Sequence, residues 1–327
     1  MKIMLIGATG FVGKALVECL LADSIEVLAG VRKKSAGLSS IVQQVVIGDL
    51  SVLTEDSLGS KPSLFDGVDT VIHVAARVHI MNDDASGSLT EYRKVNRDAA
   101  LILARMAEEA GVKRFVFLSS IKVNGEFTRL ECPFLPCDEY IPVDHYGLSK
   151  YEAEQGLLAL ALKTDMEAVI IRSPLVYGPG VKANFSSMVK WVRKGIPLPL
   201  GAIHNKRSLV ALDNLVDFIA LCADREKSPK AANEIFLISD NQDVSTTELL
   251  RKVAKAFGKK QWLIPVQTSW MELAAKLVGK EDVAMRLFSS LQVDNSKARG
   301  VLGWKPVSTM DEQLKKIADA EINEKTV

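Results

Sequence analysis

The sequence has no long apolar run near its start: MKIMLIGATG carries four consecutive apolar residues before its first glycine. Such a run is too short for a leader or a membrane span, so a cytoplasmic protein without membrane insertion is expected. Charge of one sign is also missing. Lys+Arg number 41 against 40 Asp+Glu, a net charge of +1, which offers nucleic acid no basic surface. Cysteine is scarce, with 4 in 327 residues, and Cys19, Cys132, Cys137 and Cys222 lack the paired spacing of a metal site. Cys132 and Cys137 flank Pro133 and Pro136 in a loop and are near enough to pair in principle, but a cytoplasmic chain of this size needs no disulfide and free thiols are expected. Internal repeats and low-complexity segments are absent, which excludes solenoids and fibres.

What remains is an ordinary globular composition, 48% hydrophobic and 25% charged, in a chain long enough for two domains sharing an interface. KIMLIG reads as a buried strand, and FVGKALVECLLAD places Phe11, Leu16, Leu20 and Leu21 at helical spacing. IEVLAGV, QQVVIGD and VDTVIHVAA read as further strands, followed by a long helix through SLTEYRKVNRDAALILARMAEEAG and the strand VKRFVFLSS. A helix from near Asp144 to about Lys163 and the strand MEAVIIRSP come next. Apolar strands separated by helical crossovers imply a parallel sheet covered on both faces. The expected fold is α/β, a Rossmann-type doubly wound parallel sheet with a smaller C-terminal α/β substrate-binding domain. After Pro174 the alternation breaks into proline-rich loops, and SLVALDNLVDFIALCAD reads as a return to the large domain through a strand and a helix. The expected division gives 1–173 plus about 205–230 to the sheet domain, and about 174–204 plus 231–327 to the smaller one.

GATGFVG sets Gly7, Gly10 and Gly13, with Thr9, Phe11 and Val12, between the first strand and the first helix. Small residues there let the backbone approach a pyrophosphate, and the helix start offers unpaired N–H groups and a positive dipole end. In a dinucleotide site the end of the second strand reads the adenosine ribose, using an acid for a 2′-hydroxyl and arginine for a 2′-phosphate. LAGVRKKS has no carboxylate there; it offers Arg32, Lys33 and Lys34, which favours NADP(H) over the alternative NAD, with a solvated basic turn as the plain competitor. Asp49 and Leu50, in IGDL, are placed to meet the adenine, although a capping role for Asp49 stays open. Ala75 and Ala76 end the fourth strand and leave room for the cofactor, while His73 in the same run reads as a core histidine. Asn96 sits inside a helix, where its amide bonds a neighbouring strand or water. Ser173, ending the sixth strand, completes the cofactor candidates.

YGLSK puts Tyr146 four residues before Lys150, one helical turn apart. A solvated surface pair is the plain reading. The chemical reading is that a cation stabilises the phenolate and moves it toward the range of a general acid/base. Lowering a phenol by about three pH units takes roughly 4 kcal/mol, which an exposed lysine does not supply but a buried one beside an oxidised nicotinamide would. FVFLSSIKVNG ends its strand with Ser119 and Ser120, on the sheet edge where ligands bind, and a hydroxyl there would bond a substrate oxygen beside the phenol.

In order, GATGFVG, GDL, VIHVAA, VNRDAALIL, FVFLSSIKVNG, YGLSK, IIRSPLVYGPG, RSLVALDNLVD and LGWKP resemble the extended short-chain dehydrogenase/reductase family, in its nucleotide-sugar epimerase/dehydratase/reductase branch. The resemblance implies Tyr146 as acid/base, Lys150 as the residue that holds the nicotinamide ribose and lowers the tyrosine's pKa, and Ser120 rather than Ser119 as the orienting hydroxyl. It implies that Asn96 supports the architecture and that Asn184 and Arg207 meet the diphosphate of a UDP-sugar. A second diphosphate arginine is expected upstream of VDNSKARGVLGWKP, where Arg286 is the stand-in. More narrowly, AARVHIMND, SSIKVNGE and GIPLPLGAIHNKRSLVALDNLVD are similar to bacterial surface-polysaccharide enzymes that form UDP-N-acetylquinovosamine. His79 and Lys122 then join Ser120 as sugar contacts. The expectation is an NADP(H)-dependent reductase of a UDP-2-acetamido-2,6-dideoxy-4-ketohexose. The alternatives are a UDP-glucose or UDP-N-acetylglucosamine 4-epimerase holding NAD, and an NADP(H)-binding sensor or scaffold. Relatives of this kind also imply a homodimer through the helices carrying Asn96 and Tyr146.

Overall fold

A computed structural model of the chain describes residues 1–54, 62–78, 88–260 and 262–323. Its strands are β1 (Lys2–Ile6), β2 (Glu26–Val31), β3 (Gln43–Val46), β4 (Thr70–His73), β5 (Arg114–Ser120), β6 (Glu167–Ser173), β7 (Leu175–Tyr177), β8 (Leu209–Ala211) and β9 (Ile235–Leu237). Seven of them form one parallel sheet in the order β3-β2-β1-β4-β5-β6-β9, and β7 pairs with β8 apart from it. This is a Rossmann-type doubly wound sheet. The strand order reverses between β1 and β4, so the crevice beyond their carboxyl ends is where such a sheet takes a ligand.

Alternating side chains divide the sheet's two faces. Ile3 and Leu5 of β1 join a cluster with Leu16 and Val17 of α1 (Phe11–Ala22), while Met4 and Ile6 join another on the opposite face. Covered on both sides, β1 reads as a continuous apolar run. The long helix of the sequence is three joined pieces: α2 (Leu89–Arg93), a π-helical turn (Lys94–Asp98) and α3 (Ala99–Glu109). Leu103 and Ala104 of α3 pack on the second face with Ala153 and Leu157 of α4 (His145–Ala161).

A third cluster gathers Tyr177, Phe185 of α5 (Ala183–Lys194), Leu250 and Val253 of α7 (Thr246–Ala256), and Leu314 of α11 (Met310–Asn323). Between these, α6 (Leu212–Ala223) packs Leu215, Phe218 and Ile219 into the first cluster of the sheet. The strand before α6, β8, pairs with β7 outside the seven-stranded sheet, and β9 fills the sheet's edge beside β6. Three residues, IFL, were too short to register as a strand by pattern. Our proposed division therefore keeps the two expected parts and moves β9 to the sheet domain.

All four cysteines are free thiols. Among the described residues no group of side chains could hold a metal, and no helix is long and apolar enough to cross a membrane.

Candidate active site

The glycine turn lies at the β1–β4 crevice. Gly7 has φ +98°, and a Cβ there would stand 2.7 Å from the Ala75 backbone nitrogen. A Cβ on Gly13 would come within 2.0 Å of the Gly7 carbonyl oxygen. These two positions must be glycine for α1 to start this close to the end of β4. Gly10 differs, since only the Gly7 carbonyl oxygen, at 3.2 Å, lies within 4 Å of a Cβ placed there. Thr9 and Gly10 are exposed, with Phe11 and Val12 half-buried behind them. Gly10 caps α1 with no side chain, and no acidic residue stands in the first turn. The unpaired N–H groups of Phe11, Val12 and Gly13 thus face outward with the dipole uncompensated, a setting that fits a pyrophosphate.

The adenosine candidates stand on the next two strand ends. Arg32 and Lys33 are exposed beyond β2. Arg32 Nη1 lies 3.5 Å from Asp49 Oδ2. Asp49 caps the short turn Leu50–Val52, where its Oδ1 accepts from the Ser51 N–H at 2.9 Å and the Ser51 hydroxyl at 2.8 Å. Those bonds, first the backbone one, hold its carboxyl below the ordinary range. The cap therefore uses one oxygen and leaves the other beside Arg32. Leu50 and Ala75 pack at the edge of the second apolar cluster, and Ala76 is half-buried beside them. Ser173 is buried at the end of β6, in register with Ser120 of β5.

Asn96 occupies the π-helical turn and is fully buried. Its Oδ1 accepts from the Arg77 N–H at 2.8 Å, while its Nδ2 donates to the Arg77 carbonyl at 3.1 Å and to Ser149 Oγ at 2.9 Å. Ser149 Oγ in turn donates to the Tyr146 carbonyl at 2.8 Å. One amide thus ties the segment after β4 to the helix that carries Tyr146 and Lys150.

That helix is positioned at its start as well. Asp144 caps it by accepting from the Gly147 N–H at 3.0 Å, and Lys122 Nζ donates to Asp144 at 3.1 Å and to Glu126 at 3.0 Å. Lys122, expected to touch the sugar, is held by these two carboxylates with its side chain partly exposed. Ser120 lies beside the Tyr146 phenol and pulls its pKa down, and its Oγ accepts from the Lys122 N–H at 3.3 Å. Ser119, its neighbour, faces the other side of β5 and bonds the buried Glu154.

Lys150 is buried, and its Nζ donates to the Leu118 carbonyl at 2.8 Å over the Phe117 ring, 4.2 Å from the centroid. Burial pulls its pKa down to about 7, against which Glu154 pulls up. Burial likewise pushes the Tyr146 phenol up to about 12, opposed by the Ser120 hydrogen bond and helped by Asp144 and Tyr92. Without a bound cofactor burial is the first cause acting on both groups, and the lysine's Nζ is engaged by the Leu118 carbonyl. His73, below them, is a core residue as expected: its ring centroid is 6.1 Å from that of Phe115 and 5.6 Å from that of Phe117, and burial first, then Lys150, depresses its pKa to about 3.

The sequence reading missed a buried ion pair behind this site. Arg172 of β6 grips Glu154 of α4, with Nη2 to Oε2 at 2.7 Å, and its Nη1 donates to Asn124 Oδ1 at 3.0 Å. Glu154 lies four residues after Lys150, on the same helix face, a spacing that could have singled it out.

Among substrate candidates, Arg207 is half-buried, and its Nη1 donates to the Arg286 and Ser289 carbonyls at 3.0 and 3.1 Å. Burial lowers its pKa, and among the described residues no carboxylate pairs with it. Arg286 meets it only through the backbone; its side chain is exposed on α9 (Glu281–Phe288), after α8 (Thr268–Leu277). Asn184 stands in the first turn of α5. His79 lies outside the described residues.

A family model for the NAD dependent epimerase/dehydratase family matches residues 3–238, and the chain belongs to that family. It is an enzyme of the nucleotide-sugar branch. It is 48% identical over 321 residues to a UDP-glucose 4-epimerase of Vibrio cholerae, covering 98% of this chain and 95% of the relative. It is 31% identical to the N-acetyl-alpha-D-glucosaminyl-diphospho-ditrans,octacis-undecaprenol 4-epimerase of Escherichia coli O157:H7, over 79% of this chain and 73% of that one. In fold it is similar to a short-chain dehydrogenase/reductase superfamily protein of Agrobacterium tumefaciens solved with NAD, at a TM-score of 0.76 and 21% identity, covering 100% of this chain and 98% of that one.

Proposed function

We propose that the chain is a UDP-hexose 4-epimerase that retains its nicotinamide cofactor. The observation that carries the reading is Tyr146 with Ser120 beside it, followed one turn later on the same helix by the buried Lys150, whose Nζ reaches back to the Leu118 carbonyl of β5. The 48% relative supports the reaction, and both relatives are 4-epimerases of diphosphate-linked sugars. The proposal follows them rather than the quinovosamine-forming reduction expected from the sequence.

Gly7, Gly10 and Gly13, with Thr9, Phe11 and Val12, would hold the cofactor's pyrophosphate, and Asp49 and Leu50 its adenine. Ala75, Ala76, Asn96 and Ser173 would shape the space for the nicotinamide ribose, which Lys150 would bond. Bound there, the nicotinamide supplies a reversible hydride acceptor. Tyr146 Oη takes the proton of the sugar's 4-hydroxyl and later returns it, while Ser120 orients the same oxygen. Bringing the phenol from about 12 to neutrality takes roughly 7 kcal/mol, so its ionisation depends on positive charge beyond what the chain's own side chains supply. Arg207, a half-buried cation held by the Arg286 and Ser289 carbonyls and without a carboxylate partner among the described residues, would hold the diphosphate, a strong charge-assisted contact. Asn184, Arg286 and His79 are secondary candidates for the same ligand.

A second reading rests on Arg32: with no carboxylate at the end of β2, NADP(H)-dependent reduction of a 4-keto sugar stays in view. Identifying the cofactor released by denaturing one portion of purified protein, and mixing a second, untreated portion with UDP-glucose, separates the two. Interconversion of UDP-glucose and UDP-galactose without added cofactor is the expected result. Consumption of NADPH by a UDP-4-ketosugar, with no interconversion, would replace the epimerase by the reductase.

A further inference from the structure

One surface of the molecule takes no part in this chemistry. No residue of α8 is fully buried; Met271 packs on the third cluster, while Trp270, Leu273 and Leu277, at i, i+3 and i+7, share the outward face. Trp270 is 68% exposed and Leu277 80%. The segment leading into α8 carries Trp262, 67% exposed, and Ile264. Its backbone is tied to the segment after α5: Leu198 N–H donates to the Trp262 carbonyl at 2.9 Å and Ile264 N–H to the Leu198 carbonyl at 2.8 Å. Ile196, two residues before that pairing, and Trp191 on α5 are exposed as well. Three of the chain's 4 tryptophans are therefore exposed, two of them in and just before α8, while Trp304 is buried. Scattered apolar residues need no explanation, but adjoining ones of this size mark a contact surface.

Charge says what kind. Between Phe257 and Lys280 the exposed Lys259, Lys260, Lys276 and Lys280 face a single acid, Glu272. Lys190 and Lys194 are exposed beside Trp191 and Ile196. The next acids, Glu281 and Asp282, open α9. Tryptophan and leucine on one face with lysine at its borders is the composition of a helix that lies in the headgroup layer, and anionic lipid is its complement. At 10 residues α8 is too short to span.

We propose that this face docks the protein peripherally on an anionic phospholipid bilayer, with the outward side of α8 in the headgroup layer and the lysines on lipid phosphates. The inference does not depend on the epimerase reading, and a chain that fails to interconvert UDP-sugars leaves it untouched. The test is co-sedimentation of the full chain with phosphatidylglycerol/phosphatidylethanolamine vesicles and, in parallel, with phosphatidylcholine vesicles. Binding to the first at least ten-fold above the second is expected, with a blue shift of tryptophan emission. Trp270→Ser/Leu273→Ser/Leu277→Ser should lose that binding at least ten-fold. Lys259→Gln/Lys260→Gln/Lys276→Gln/Lys280→Gln should lose the preference for phosphatidylglycerol, with circular dichroism confirming that both variants fold. Absence of vesicle binding by the unmodified chain, or undiminished binding by both variants, overturns the proposal. So does light scattering in which the triple serine variant turns a dimer into a monomer, because a second copy then covers the face.

Discussion

At the scale of single residues, the site is set by where protons rest. Tyr146 and Lys150 are displaced by burial in opposite directions, the phenol to about 12 and the ammonium to about 7, so each favours its neutral form. In cofactor-free protein, ultraviolet difference titration against Tyr146→Phe should show no phenolate from this residue at pH 10.0, the ordinary tyrosine value. Lys150→Met should leave that titration unchanged while abolishing turnover. A phenolate that forms at lower pH, and disappears in Lys150→Met, would restore the lysine as its direct cause.

At the scale of elements, α4 is held at both ends against strands that are distant in sequence. Asn96, from a π-helical turn, makes three hydrogen bonds that lock the segment after β4 to α4. Such turns occur often at functional sites, and this one aims a polar side chain inward from a helix that would otherwise bury it without partners. Asn96→Ala should cost about 1–3 kcal/mol in urea unfolding, the range for stranding buried polar groups, and lower kcat more than it changes KM. An unaltered kcat would remove the positioning role. The glycine turn makes a sharper case. Gly13→Ala places a Cβ 2.0 Å from the Gly7 oxygen and must push α1 off the turn. Retention of nicotinamide by the purified protein should fall at least ten-fold; retention equal to that of the unmodified chain would place the cofactor elsewhere.

At the scale of the whole molecule, two buried groups govern stability. Removing Arg172 leaves Glu154 as an unpaired buried charge, so Arg172→Met should destabilise by roughly 3–5 kcal/mol, and adding Glu154→Gln should recover much of it. A double variant no better than the single would mean that the pair matters through Asn124 and Ser119 instead. His73 sets a pH dependence. Its folded pKa, about 3, lies below the ordinary 6.5, so below pH 6.5 the unfolded chain binds a proton that the native state refuses. Stability from this group is complete above 6.5 and is lost toward 3, at roughly 1.4 kcal/mol per pH unit. Lys150, about 7 against 10.5, acts in the same direction in its own window between those values. Acid unfolding of His73→Phe should show a shallower slope between pH 6.5 and 3 than the unmodified chain.

The parallel sheet, its succession of strands up to β6, the glycine turn and the spacing of Tyr146 and Lys150 on one helix were legible in the sequence because each is a local pattern. Period-two and period-3.6 apolar spacing and short glycine intervals survive without knowledge of distant contacts. The sequence also carried enough order among its motifs to place the chain in its family. β9 escaped it, since three residues carry no period, and so did the pairing of β8 with β7. Tertiary structure alone decided that Lys122 engages Asp144 and Glu126, that Ser119 bonds Glu154, and that burial is the first cause acting on the phenol of Tyr146 and the ammonium of Lys150. Those outcomes depend on which side chains meet and how much water they lose, and both are set by contacts between segments that lie far apart along the chain.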